Sequence, residues 1–84
     1  MPEKEIGRVT HYFSRIGVAG IKLTDTLSEG DTIHIVGHTT DFTQEAHSME
    51  LENQPITEGQ PGQEIGLKVQ ERVRRSDQVY KVVS

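Results

Sequence analysis

The feature that most constrains this chain is its punctuation: short runs of Val, Ile and Thr, 23 residues in all, recur between Gly, Pro, Asn and Asp. β-Branched residues are stiff at χ1 and suit a pleated, half-buried surface, while the intervening residues tolerate reversal, so the pattern predicts consecutive strands. No helix of convincing length is visible. Six strand runs are expected, at about Glu5–Phe13, Ile16–Leu23, Thr32–Val36, Phe42–Glu52, Glu64–Gln70 and Val79–Val83. Alternation assigns their faces: Ala19, Ile21 and Leu23 inward with Lys22 outward, Ile33 and Ile35 inward with His34 outward, and Ile65, Leu67 and Val69 inward with Lys68 outward. Gly17 and Gly20, inside the second run, suggest bends or close approach of another backbone.

Closing such a sheet removes its exposed edges, so the expected fold is all-β, a small closed six-stranded β-barrel, with residues 1–84 as a single domain and the barrel core at about 5–83. A domain of 84 residues buries only about 60–65% of its unfolded surface. Ile, Leu, Val and Phe number 21 and are needed for one core, which favours a shallow functional surface over a deep cleft.

The chain has no cysteine, which excludes a disulfide framework, a thiolate zinc site and a cysteine nucleophile and suits a reducing compartment. No apolar run approaches the roughly 20 residues of a membrane-spanning helix, and the charged start Met1-Pro2-Glu3-Lys4-Glu5 does not read as a signal peptide. A soluble, cytoplasmic protein is the expectation. The net charge of −4 is unevenly spread: no Lys or Arg lies between Lys22 and Lys68, a stretch with nine acidic residues. Both ends are basic. If the first and last strands lie side by side, they form a positive face opposite an acidic one.

The candidate binding residues fall in three groups. The loop Gly37-His38-Thr39-Thr40-Asp41-Phe42 displays an imidazole and small polar side chains between strands, where binding residues often sit; His38, Thr39, Thr40 and Asp41 are candidates, with backbone capping as the structural alternative. Lys68, Arg72, Arg74 and Arg75, with Lys81, could grip phosphates of RNA, with Tyr12, Phe13 and Tyr80 as the available stacking surfaces. Glu50 and Glu52 read as carboxylates on one exposed strand face, where solvation is the ordinary outcome. His11, His34, His38 and His47 with Asp41 supply metal-ligand chemistry without metal-ligand spacing, so no metal and no cofactor is expected.

The run from Leu27 through Gly37 resembles the strand-turn-strand of the second domain of elongation factor Tu and its relatives, with Gly30, Asp31 and Gly37 at matching spacing. Residues Ile56 to Leu67 are similar to the turn and following strand of that domain, and Gly17-Val18-Ala19-Gly20 to its second strand. Gly7 to Phe13 and Gly37 to Phe42 resemble the small standalone proteins labelled translation elongation factor-like. The resemblance implies a barrel with a pocket near Lys22 and Glu50, although Ile21 stands where the family has arginine. There is no G-x-x-x-x-G-K-[ST] loop and no room for a GTPase domain, so nucleotide hydrolysis is excluded.

The expectation is therefore a non-catalytic binding module contacting RNA or a translation-associated protein. Its alternatives are an accessory domain whose acidic middle docks a basic partner and, further out, a metal-assisted hydrolase. The sequence leaves the oligomeric state open.

Overall fold

A computed structural model describes residues 2–83. Ten strands occur among the described residues: β1 (Glu3–Phe13), β2 (Val18–Leu23), β3 (Leu27–Ser28), β4 (Thr32–Val36), β5 (Asp41–Glu45), β6 (Met49–Leu51), β7 (Gln54–Ile56), β8 (Glu58–Gly59), β9 (Glu64–Lys68) and β10 (Gln78–Val82). Eight of them form one sheet in the order β5-β4-β10-β1-β2-β9-β6-β7, and β3 with β8 forms a second, two-stranded sheet. Every pairing is antiparallel. Among the described residues the chain is all-β and without helix, so it contains no helix long and apolar enough to cross a membrane.

The face assignments follow the alternation. Ala19, Ile21, Leu23, Ile33, Ile35, Ile65, Leu67 and Val69 are all buried, while Lys22 and Lys68 are exposed and His34 is half-buried on the outer face. Ile6, Val9, Leu27, Phe42, Ala46, Met49, Val73 and Val79 complete the same core. The first and last strands are neighbours, β1 pairing with β10 through Lys4↔Lys81 and Arg8↔Gln78.

Six strands in one closed cylinder is not what forms. The expected run Phe42–Glu52 divides into β5 and β6, because Ala46 is buried with its N–H donating to the Asp31 carbonyl (2.8 Å), and Ser48 adopts a left-handed φ of 58°. After β6 the chain turns at Glu52–Asn53 and returns as β7, with Leu51 paired to Gln54 and Glu50 to Pro55. Leu27–Ser28 and Glu58–Gly59, outside the six expected runs, pair with each other.

No ladder joins the two ends of the long sheet among the described residues. Side chains instead tie the end strand β5 to the end of β9: the Gln44 amide nitrogen donates to the Lys68 carbonyl (2.9 Å), and the Gln70 N–H donates to Gln44 Oε1 (2.8 Å). A seam made of side chains leaves less of the backbone paired than a ladder would.

Candidate functional site

The outer face of β1-β2-β9-β6 is set by register. His11 pairs with Gly20, Gly20 with Gly66, and Gly66 with Glu50, so two adjacent places in one cross-strand row carry no side chain. On one flank the next row runs Phe13, Val18, Lys68; on the other it runs Arg8, Lys22, Glu64. The result is a groove of about 300 Å³ lined by Phe13, Ile16, Val18, Glu50, Glu52, Asn53, Glu64 and Gly66.

Gly20 is buried beneath Thr10, whose Oγ1 a β-carbon there would meet at 3.2 Å, whereas Gly66 is open on the groove floor. Neither Gly20 nor Gly66 has positive φ, and a β-carbon on Gly66 would meet Val18 Cγ1 at 3.3 Å, a contact that a small side-chain shift relieves. Glycine within a strand, where neither turn nor core requires it, leaves room for another backbone or a ligand to come close.

The groove joins apolar walls to an acidic rim. Phe13 and Ile16, at the tip of the β1–β2 hairpin, are 47% and 60% exposed and are the large hydrophobic residues left out of the core. The Phe13 ring is backed by the His11 imidazole, with centroids 4.4 Å apart. Glu64 accepts the Thr10 hydroxyl, whereas Glu50 and Glu52 have no hydrogen-bond or ion-pair partner among the described residues. Glu52 and Asn53 form the two-residue turn between β6 and β7 with φ of 52° and 65°. Both angles positive is the type I′ arrangement, which favours Asn-Gly and is costly for Glu. Glu52 thus sits at the hairpin tip, not beside Glu50 on a strand face as alternation implied.

The residues expected to bind from sequence do not assemble in one place. Glu50 lines the groove, together with Glu52 and the stacking candidate Phe13. Lys22 lies on the outer face of β2, its ammonium donating to the Gly62 carbonyl (2.9 Å). Lys68 ends β9, and Arg72, Arg74 and Arg75 occupy the connection to β10, where Arg75 Nε donates to the Thr10 carbonyl (3.3 Å). Lys4 and Lys81 of the basic ends are engaged with Asp25 and Asp31.

The His38–Asp41 loop is organised as a turn. The Gly37 N–H donates to the Thr40 carbonyl (2.7 Å), Thr40 is buried, and His38 and Thr39 are exposed. Asp41 Oδ1 lies 2.6 Å from His34 Nε2, and Glu3 Oε2 lies 2.9 Å from His34 Nδ1. The hydrogen bond to Asp41, then that to Glu3, raises the His34 pKa above the usual imidazole value. The two carboxylates hold different ring nitrogens and do not converge. Among the described residues no group of three or more His, Asp or Glu side chains is arranged to hold a metal ion.

Ile16, Val18, Asn53, Glu64 and Gly66 are the groove residues that sequence reasoning did not assign to a site. The available signal was Gly20, read as a point of close backbone approach, facing a second glycine whose register only the folded sheet reveals.

With that geometry in place, comparison with known proteins is informative. No family model matches the chain. It is 38% identical over 77 residues to an uncharacterized protease of Methanocaldococcus jannaschii, a match covering 90% of this chain and 19% of that protein. It is 37% identical over 78 residues to a collagenase of Porphyromonas gingivalis, covering 90% of this chain and 22% of that protein. The chain therefore spans about a fifth of the length of these curated relatives. The crystal structure of the C-terminal domain of a Geobacillus thermoleovorans protein described as a U32 peptidase superposes with a TM-score of 0.88 at 20% identity, covering 95% of this chain and 93% of that one. At that identity the superposition shows the shared fold alone.

These similarities correct the translation-factor expectation. Turn glycines flanked by apolar residues recur in many small β-domains, so the resemblance to elongation factor Tu carried the β-architecture and not the relationship. The expected RNA or translation partner loses its basis with it. The expectation that the chain lies outside the enzymes is corrected as well, since the similar proteins are named a protease and a collagenase.

Proposed function

We propose that this chain serves proteolysis as a polypeptide-binding domain of the type found C-terminal in U32-type peptidases, with the groove over Gly66 as its binding surface. The observation that carries the reading is the bare groove floor at Gly66, half-exposed between the exposed Phe13 and Ile16 and the unpaired Glu50. A polypeptide in extended form can lie on backbone unobstructed by β-carbons while its side chains use the apolar wall. Of the residues expected from sequence, Glu50, Glu52 and Phe13 belong to this surface. The eight-stranded sheet, with β5 tied to the end of β9 through Gln44 and Gln70, supplies the platform on which the groove sits.

The test is a titration of the ¹⁵N-labelled chain with gelatin fragments, chosen because one similar protein is named a collagenase. The reading predicts saturable amide shifts at Phe13, Val18, Gly20, Gly66 and Glu50. No shift at millimolar fragment, or shifts only at the His38–Asp41 loop, would contradict it.

A further inference from the structure

We infer that the groove selects a basic side chain, lysine or arginine, on the bound polypeptide; this rests on the polypeptide-binding reading and names its specificity. A lysine or arginine side chain is a stem of methylene groups ending in a charge. The groove has the complementary order. Phe13, Ile16 and Val18 supply apolar surface at one side, and Glu50 and Glu52 supply carboxylates at the other.

The charge is available for a ligand because the chain does not use it. Glu50 and Glu52 have no cation within ion-pair distance among the described residues. The cations nearest by register are Lys22 and Lys68. Lys22 pairs with Glu64 across the ladder and donates to the Gly62 carbonyl, and Lys68 stands beyond Val18 in the apolar row. Glu64, already accepting the Thr10 hydroxyl, fixes the rim on that flank.

Glu52 adds a second argument. A glutamate in a left-handed turn position, where Asn would sit at less cost, places a carboxylate at the groove mouth that the turn itself does not need. A volume of about 300 Å³ is at the small end of ligand sites and suits one long side chain instead of a whole folded partner.

The experiment uses five fluorescein-labelled peptides, identical except for a central arginine, lysine, citrulline, norleucine or glutamate, titrated with the intact chain by fluorescence polarisation. Arginine and lysine peptides are expected to bind at least about fivefold more tightly than citrulline and norleucine, the scale of one partly exposed charge pair. Glu50→Gln and Glu52→Gln should each reduce arginine-peptide affinity, leave norleucine binding unchanged, and flatten its dependence on salt. Equal affinity for arginine, citrulline and norleucine overturns the basic-residue inference while leaving polypeptide binding standing. Silence from all five peptides and from gelatin fragments overturns both. Unchanged chemical shifts in the core amides of each variant establish that a loss is not a folding defect.

Discussion

Asp77 occupies the space that a side chain on Gly37 would need: a β-carbon built on Gly37 overlaps the Asp77 carboxyl group. The glycine has no positive φ, so the constraint is one of room. Asp77 is buried, its Oδ2 accepting the Arg74 N–H at 2.8 Å and its carbonyl accepting the Val9 N–H at 2.8 Å, so it cannot simply move aside. Gly37→Ala should therefore cost about 2 kcal/mol or more, by forced overlap and a broken buried carboxylate contact. Urea denaturation measures this, and a wild-type midpoint would refute the packing described.

The seam offers a second prediction. Gln44 donates to the Lys68 carbonyl and accepts from the Gln70 N–H, so Gln44→Ala leaves two backbone groups to find water. The loss should be about 1 kcal/mol, with faster hydrogen exchange at the Gln70 amide than in the wild type. Unchanged exchange there would mean that the seam is not held by these side chains.

His34 gives the chain a pH dependence whose sign is fixed. With Asp41 on one ring nitrogen and Glu3 on the other, both nitrogens donate only when the imidazole is charged. Thr43 and Tyr80 flank it across the neighbouring strands. The folded-state pKa is raised, so the stabilisation is fully present below the unfolded value of about 6.5 and is lost as pH rises through the folded pKa. Chemical denaturation across neutral pH should show declining stability in the wild type and a weaker decline in His34→Asn. NMR titration placing the His34 pKa at or below the free-imidazole value would refute the assignment.

The β6–β7 turn separates stability from binding. Glu52→Asn replaces a residue that resists the left-handed turn with one that accepts it, so stability should rise by about 0.5 kcal/mol while affinity for an arginine peptide falls. A thermal scan and the polarisation assay read the two effects independently. A variant that loses stability would show that the turn does not strain Glu52.

Strand interiors were legible because burial imposes a period of two: Ile33 and Ile35 go in and His34 out, and Ile65, Leu67 and Val69 go in, as alternation alone requires. The adjacency of the first and last strands, posed from sequence only as a condition, is met by the β1–β10 ladder. What escaped depended on backbone angles or distant pairing. The division of Phe42–Glu52 turns on Ser48 entering the left-handed region, which its side chain does not announce. The β3–β8 pair joins segments that each look like a turn in isolation.

The site was less legible than the fold for the same reason. Phe13, Gly66 and Glu50 become neighbours only through the order β1-β2-β9-β6, and each is unremarkable in its own stretch of sequence. The loop at His38–Asp41 drew notice for its polar residues; its backbone bonds make it a turn and Asp41 tethers His34, while His38 and Thr39 stay exposed.

Filling the bare groove floor tests the account most directly. Gly66→Val places a branched side chain on the groove floor beside Val18, on the outer face and away from the core. The account predicts a folded chain with core amide shifts intact and at least about a tenfold loss of arginine-peptide affinity, the scale expected when an occupied groove is blocked. A folded Gly66→Val chain that binds the peptide as tightly as the wild type would show that polypeptide does not lie over Gly66.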